Sequence, residues 1–131
     1  MIVLDASVLA NVIADDGDDG RIARQAIGDQ DLAAPDLVDV ETVSVLRKRW
    51  LAADLTMRRF RTAIDDLSAL PILRFPTLPF MGRAYELRSN VTPYDATYVA
   101  LAERLGCCLL TGDARLAASP GLRCELRLIA A

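Results

Sequence analysis

The sequence predicts an α/β fold, with a mostly parallel sheet covered by helices on both faces. Two observations carry that expectation: short aliphatic runs are separated by segments with helical patterning, and acidic residues stand directly after two of those runs. In such sheets ligands gather outside the carboxyl ends of the strands, so Asp5 and Asp113 are expected at one edge. A length of 131 residues suits one domain, 1–131, able to bury a real core. A hydrophobic share of 53% against 25% charged excludes a disordered tail protein.

The elements follow in order. Ile2 to Leu4 is a β-branched and aliphatic strand, ended by Asp5, with a helix from Val8 to Ala14 behind it. The Asp- and Gly-rich stretch Asp15 to Gly20 reads as a loop, and Arg21 to Gln30 as the second helix. Leu32 to Ala34 suits a buried strand, and Pro35 the first turn of a helix running to about Leu51. Thr56 is placed to cap a helix to about Leu70, Pro71 stops it, and Ile72 to Phe75 is a strand. Thr77 to Arg88 is helical in pattern, with Pro79 and Gly82 disturbing its start. Thr92 and Pro93 open a stronger helix to Leu105, which Gly106 closes. Cys107 to Leu110 is a strand, Ala114 to Ala118 a helical turn, and Cys124 to Ile129 the last strand.

Composition narrows the chemistry. No apolar run is long enough to cross a bilayer, and Asp5 interrupts the start before a secretory signal could form, which implies a cytoplasmic protein. Cys107, Cys108 and Cys124 lack zinc-binding spacing and are expected as reduced, buried packing residues. The chain has no histidine, so Ser-His-Asp, Cys-His and paired-His mechanisms are excluded. Carboxylates must then carry any chemistry near neutral pH, and carboxylates favour hard divalent cations. A net charge of -3 is the wrong sign for a nucleic-acid binder as a whole. Base nevertheless clusters at Arg47, Lys48, Arg49 and at Arg58, Arg59, Arg61, which serve either as a solvated helix face or as RNA contacts.

Taken singly, the acids have bland readings. Asp5 and Asp113 could cap the helices that follow them, and Asp95 stands three residues after Thr92 as in a capping box. Glu41 resists, because it lies inside a helix on one face with Leu37 and Val45, where a lone carboxylate is unfavourable. Asp95 shares its face with Tyr98, Val99 and Ala102 and raises the same difficulty. Two core-facing acids on helices and two at strand ends, with a single lysine in the chain, call for a shared neutraliser. One or two divalent cations supply it, and phosphodiester hydrolysis is the reaction that best uses an all-carboxylate site.

Four segments then carry a resemblance. Met1-Ile-Val-Leu-Asp-Ala-Ser-Val-Leu is similar to the opening of PIN-domain nucleases, with an Asp ending the first strand and a hydroxyl residue two places on. Pro35-Asp-Leu-Val-Asp-Val-Glu41, Thr92-Pro-Tyr-Asp95 with the helix to Gly106, and Leu110-Thr-Gly-Asp113 resemble the second, third and fourth acidic positions of that family. The short form resembles VapC-type toxins of bacterial toxin-antitoxin pairs. The resemblance implies a three-layer α/β/α sandwich and an endoribonuclease dependent on Mg²⁺ or Mn²⁺. It assigns Asp5 and Asp95 as direct ligands, with Glu41 and Asp113 completing the site directly or through water. Ser7 and Thr111 would support it through their hydroxyls, and Asn11, one turn after Ser7, would assist. It further implies an RNA substrate, a VapB-type antitoxin and a homodimer. Some members carry another acid after the fourth; Ala114, Arg115 and Leu116 supply none, so a second metal would lack that ligand here. Two rivals are weighed. A phosphoaspartate receiver needs a suitably placed lysine, whereas Lys48 sits among arginines as a surface residue; a non-catalytic PIN-like binding module would have lost acids, and all four are present.

Overall fold

The structure, a computed structural model, describes residues 1–129. It contains β1 (Ile2–Leu4), α1 (Ala6–Ala14), α2 (Asp18–Ile27), β2 (Leu32–Pro35), α3 (Val38–Leu51), α4 (Met57–Ala69) and β3 (Ile72–Phe75). A 3₁₀ turn at Leu78–Phe80 leads into α5 (Met81–Glu86), followed by α6 (Pro93–Leu105), β4 (Cys108–Thr111), α7 (Ala114–Ala117) and β5 (Leu126–Leu128).

The sheet is wholly parallel, in the order β3-β2-β1-β4-β5. Its central strand is apolar throughout because both its faces are covered: Ile2, Val3 and Leu4 are all buried, as are Leu109 and Leu110 on β4. α1 packs against α2, α3 and α4 in one layer, while α6 lies across β1, β2 and β4 in the other with α5 beside it. From β1 the chain steps to β2 on one side, and β4 closes on the other, so the strand order reverses between β1 and β4. That crevice is where open parallel sheets take ligands. In the β1–β4 register Leu4 lies opposite Leu110, which carries Asp5 and the Thr111-Gly112-Asp113 segment to the same edge.

Several boundaries differ from the sequence reading, each for a local reason. Pro35 ends β2 and does not open a helix: it pairs with Phe75, the Asp36 N–H donates to the Phe75 carbonyl at 2.8 Å, and α3 starts at Val38. Glu41 therefore stands in the first turn of α3, not deep within it. α2 begins at Asp18, where two aspartates complement the positive end of the helix dipole, and stops at Ile27 because Gly28 turns to φ 48°. Pro79 breaks the helix expected from Thr77 into the 3₁₀ turn and the short α5. The cysteines are free, as expected, but only half-buried: Cys107 and Cys108 stand at the start of β4 and Cys124 just before β5. Among the described residues no helix is long and apolar enough to cross a membrane.

Candidate active site

Asp5 caps α1 and is held on both oxygens. Its Oδ1 accepts from the Ser7 hydroxyl at 2.6 Å and the Val8 N–H at 3.1 Å, and its Oδ2 accepts from the Thr111 hydroxyl at 2.5 Å. Thr111 in turn accepts from the Asp113 N–H at 3.0 Å, and Ser7 Oγ accepts from the Gly112 N–H at 3.3 Å. The loop after β4 is thus tied twice to the acid after β1. Gly112 allows the approach, because a Cβ there would sit 3.2 Å from Ser7 Oγ. Asp113 caps α7 through Oδ1, which accepts from the Arg115 and Leu116 N–H groups. The capping readings of Asp5 and Asp113 are both correct, yet a carboxylate oxygen keeps lone pairs beyond those its cap uses.

Thr92 caps α6, its hydroxyl accepting from the Asp95 N–H at 3.2 Å, while among the described residues the Thr92 N–H does not donate to the Asp95 carboxylate, so the capping box is incomplete. That carboxylate faces a pocket of about 270 Å³ lined by Asp5, Ser7, Glu41, Lys48, Asp95, Tyr98 and Asp113, with Ala6, Ser44 and Val45 completing the wall. Burial, then the charges of Asp113, Asp5 and Glu41, push the Asp95 carboxyl above its ordinary range against a smaller opposing influence of the Thr92 hydroxyl. Burial also raises Glu41; a hydrogen bond from the Tyr98 hydroxyl at 2.7 Å works against that rise, and the charge of Asp5 adds to it. All four predicted acids and Ser7 therefore share one cleft, and Thr111 stands directly behind Asp5.

Asn11 does not line that cleft. Its Oδ1 accepts from Arg49 Nη2 at 2.7 Å in a neighbouring pocket that also contains Ser7. Three polar residues of the cleft escaped the sequence reading: Ser44, Tyr98 and Lys48. Tyr98 counted there as an apolar neighbour of Asp95, although its phenol is the partner of Glu41. Lys48 counted as a surface residue; it is exposed, but it lines the acidic pocket. The i, i+7 spacing from Glu41 to Lys48 was the available signal, since it places both on one helix face.

The donor set consists of oxygen atoms and suits a hard divalent cation. Among the described residues no three Cys, Asp or Glu side chains converge closely enough to form a complete cage. An open, wide pocket of this kind fits an ion that keeps several waters and takes one or two carboxylates directly, as Mg²⁺ does.

A three-layer α/β/α fold with four carboxylates at the sheet's switch point defines the class, and residues 2–122 match the PIN domain family, to which this chain belongs. Within that family it falls among the VapC-type endoribonuclease toxins. It is 40% identical over 128 residues to Ribonuclease VapC1 of Mycobacterium tuberculosis, covering 97% of this chain and 96% of that one. The fold matches M. tuberculosis VapC20, described as a sarcin-ricin loop cleaving toxin, with a TM-score of 0.70 at 17% identity over 94% of this chain and 97% of the other. It also matches a chain of VapBC2 from Rickettsia felis, solved bound to a promoter DNA fragment, with a TM-score of 0.65 at 14% identity over 99% and 100%.

Proposed function

We propose that this chain is a single-domain endoribonuclease that hydrolyses RNA phosphodiester bonds at the acidic cleft with Mg²⁺ or Mn²⁺, and that a VapB-type antitoxin holds it in check. One observation carries the reading: in a chain without histidine, carboxylates from four separate segments line one cleft. Asp5 and Asp95 would be the direct metal ligands, with Glu41 and Asp113 completing the site. The metal, when bound, would polarise the phosphate and lower the pKa of a coordinated water.

The protein's own contribution is position and charge. Ser7 and Thr111 donate to Asp5 and leave its carboxylate one orientation, while Tyr98 does the same for Glu41. Asp95 and Glu41, raised by burial and by neighbouring acids, gain most when a cation relieves that repulsion. Kinship with the VapC proteins and the VapBC2 fold match support the antitoxin, and a homodimer is part of the same proposal.

The test is cleavage of labelled RNA by purified protein in Mg²⁺ or Mn²⁺, with and without a chelator. Asp5→Asn and Asp95→Asn keep side-chain volume and lose charge, so each is expected to lower cleavage by about a hundredfold or more with an unchanged circular dichroism spectrum. Wild-type rates in either variant, or full activity in chelator, would defeat the assignment.

A further inference from the structure

The cleft that gathers four acids also holds one cation. Glu41, Ser44, Val45 and Lys48 line it from a single face of α3, and Lys48 is the only lysine in the chain. Four arginines are committed to polar partners, Arg59 to Asp16, Arg74 to Asp39, Arg83 to Glu103 and Arg49 to Asn11, and none of these lines the acidic cleft. Lys48 is exposed and, among the described residues, forms no ion pair with any carboxylate, although acids share its pocket. A basic residue in the last turn of α3 complements the helix dipole wherever it points, and Arg49 already supplies one. The dipole therefore leaves unexplained why this one faces the acids.

A polyanion meets an electrostatic obstacle at this cleft. Four carboxylates and one divalent cation together remain net negative, so phosphates flanking the reacting bond are repelled unless a positive group meets them. We propose that Lys48 is a substrate-binding residue, its ammonium donating to a phosphate oxygen of the RNA at the rim of the acidic cleft, with the Ser44 hydroxyl one turn away as a second donor. The inference rests on the nuclease reading of the same cleft. It assigns Lys48 to binding and leaves the bond-breaking step to the acids.

The experiment uses steady-state cleavage of a fluorescein-labelled, mixed-sequence RNA oligonucleotide in Mg²⁺ by wild-type, Lys48→Gln and Lys48→Arg proteins, repeated over a range of NaCl. Lys48→Gln is expected to raise KM about tenfold, as loss of one charged contact does, with a much smaller change in kcat. The slope of log kcat/KM against log salt should flatten by about 0.7, the increment for one single-strand phosphate contact. Lys48→Arg keeps the charge and should restore both. A Lys48→Gln protein with wild-type KM and salt slope overturns the proposal, as does a Lys48→Arg protein impaired as severely as Lys48→Gln. Failure of the wild type to cut RNA in either Mg²⁺ or Mn²⁺ instead defeats the nuclease reading, a result that cannot be mistaken for the other two.

Discussion

Tyr98 is 2% exposed, and among the described residues its hydroxyl has one partner, Glu41 Oε1 at 2.7 Å. Burial, the bond to Glu41 and the charges of Glu41, Asp5 and Asp95 hold the phenol far above its ordinary pKa, so it remains a proton donor at every working pH. Removing it with Tyr98→Phe leaves a half-buried carboxylate short of a donor, at a cost of about 1 kcal/mol. The Glu41 carboxyl should then rise further, because the hydrogen bond that opposes burial is lost. The acid limb of the pH-rate profile for RNA cleavage is accordingly expected to move to higher pH, with the loss of stability read from urea unfolding. An acid limb that stays in place would remove Tyr98 from the working site and leave it a packing residue.

α6 bears Asp95 in its first turn and Glu103 in its last, about 12 Å apart along the axis at the usual rise per residue. The two ends do different things. Glu103 accepts from Arg83 Nε at 2.8 Å and Nη2 at 3.0 Å and from the Arg123 N–H at 2.7 Å, while Arg83 Nη2 also reaches the Gly121 carbonyl at 2.8 Å. This clamp fastens α5 and the segment before β5 to the C-terminal end of α6. Burial resists ionisation of Glu103, but Arg83 and the Arg123 N–H hold its carboxyl below the ordinary range. A depressed folded-state pKa contributes stability that is present above the unfolded value and is lost as pH falls through the folded one. Arg83→Met is expected to destabilise the protein by about 2 kcal/mol at neutral pH, since the partner charge is left partly buried, and by progressively less in acid. Cleavage per folded molecule should be unaffected at temperatures where the variant is folded. Denaturant unfolding at several pH values, with RNA cleavage alongside, checks both halves.

The acid cluster sets the opposite pH response for the protein as a whole. Asp95 and Glu41 have folded-state pKa values raised above the unfolded ones, so their ionised forms weaken the metal-free fold at neutral pH. That penalty disappears as pH falls through the raised values towards the ordinary carboxylate range. Asp95→Asn should therefore melt higher than wild type without metal at neutral pH, and the gap should close on acidification. Saturating Mg²⁺ should reverse the order, adding about 2.7 kcal/mol to the wild type at a hundred times Kd and much less to the variant. Thermal melts across pH, with Mg²⁺ or a chelator, read all three outcomes. Equal responses of the two proteins to Mg²⁺ would return Asp95 to a role in its helix alone.

Much of this arrangement was legible in local chemistry. Ile2 to Leu4 and Cys107 to Leu110 read as strands because they are apolar on both faces, the second lying one residue later in the structure, and Thr92, Pro93 and Gly106 bracket α6 through backbone preferences that act over a few residues. The four acids stood out because carboxylates on apolar stripes and at strand ends need a cation in a chain without histidine. Those signals depend on neighbours in sequence, and where they competed, as at Pro35, pairing with β3 outweighed the helix-start preference. Other features could not be read along the chain. Thr111 meets Asp5 across 106 residues and Tyr98 meets Glu41 across 57, while Lys48 turns its exposed face to acids contributed by other elements. These contacts follow from the parallel β1–β4 register and from α3 and α6 packing in different layers, and both are set by the burial of one core drawn from distant parts of the chain.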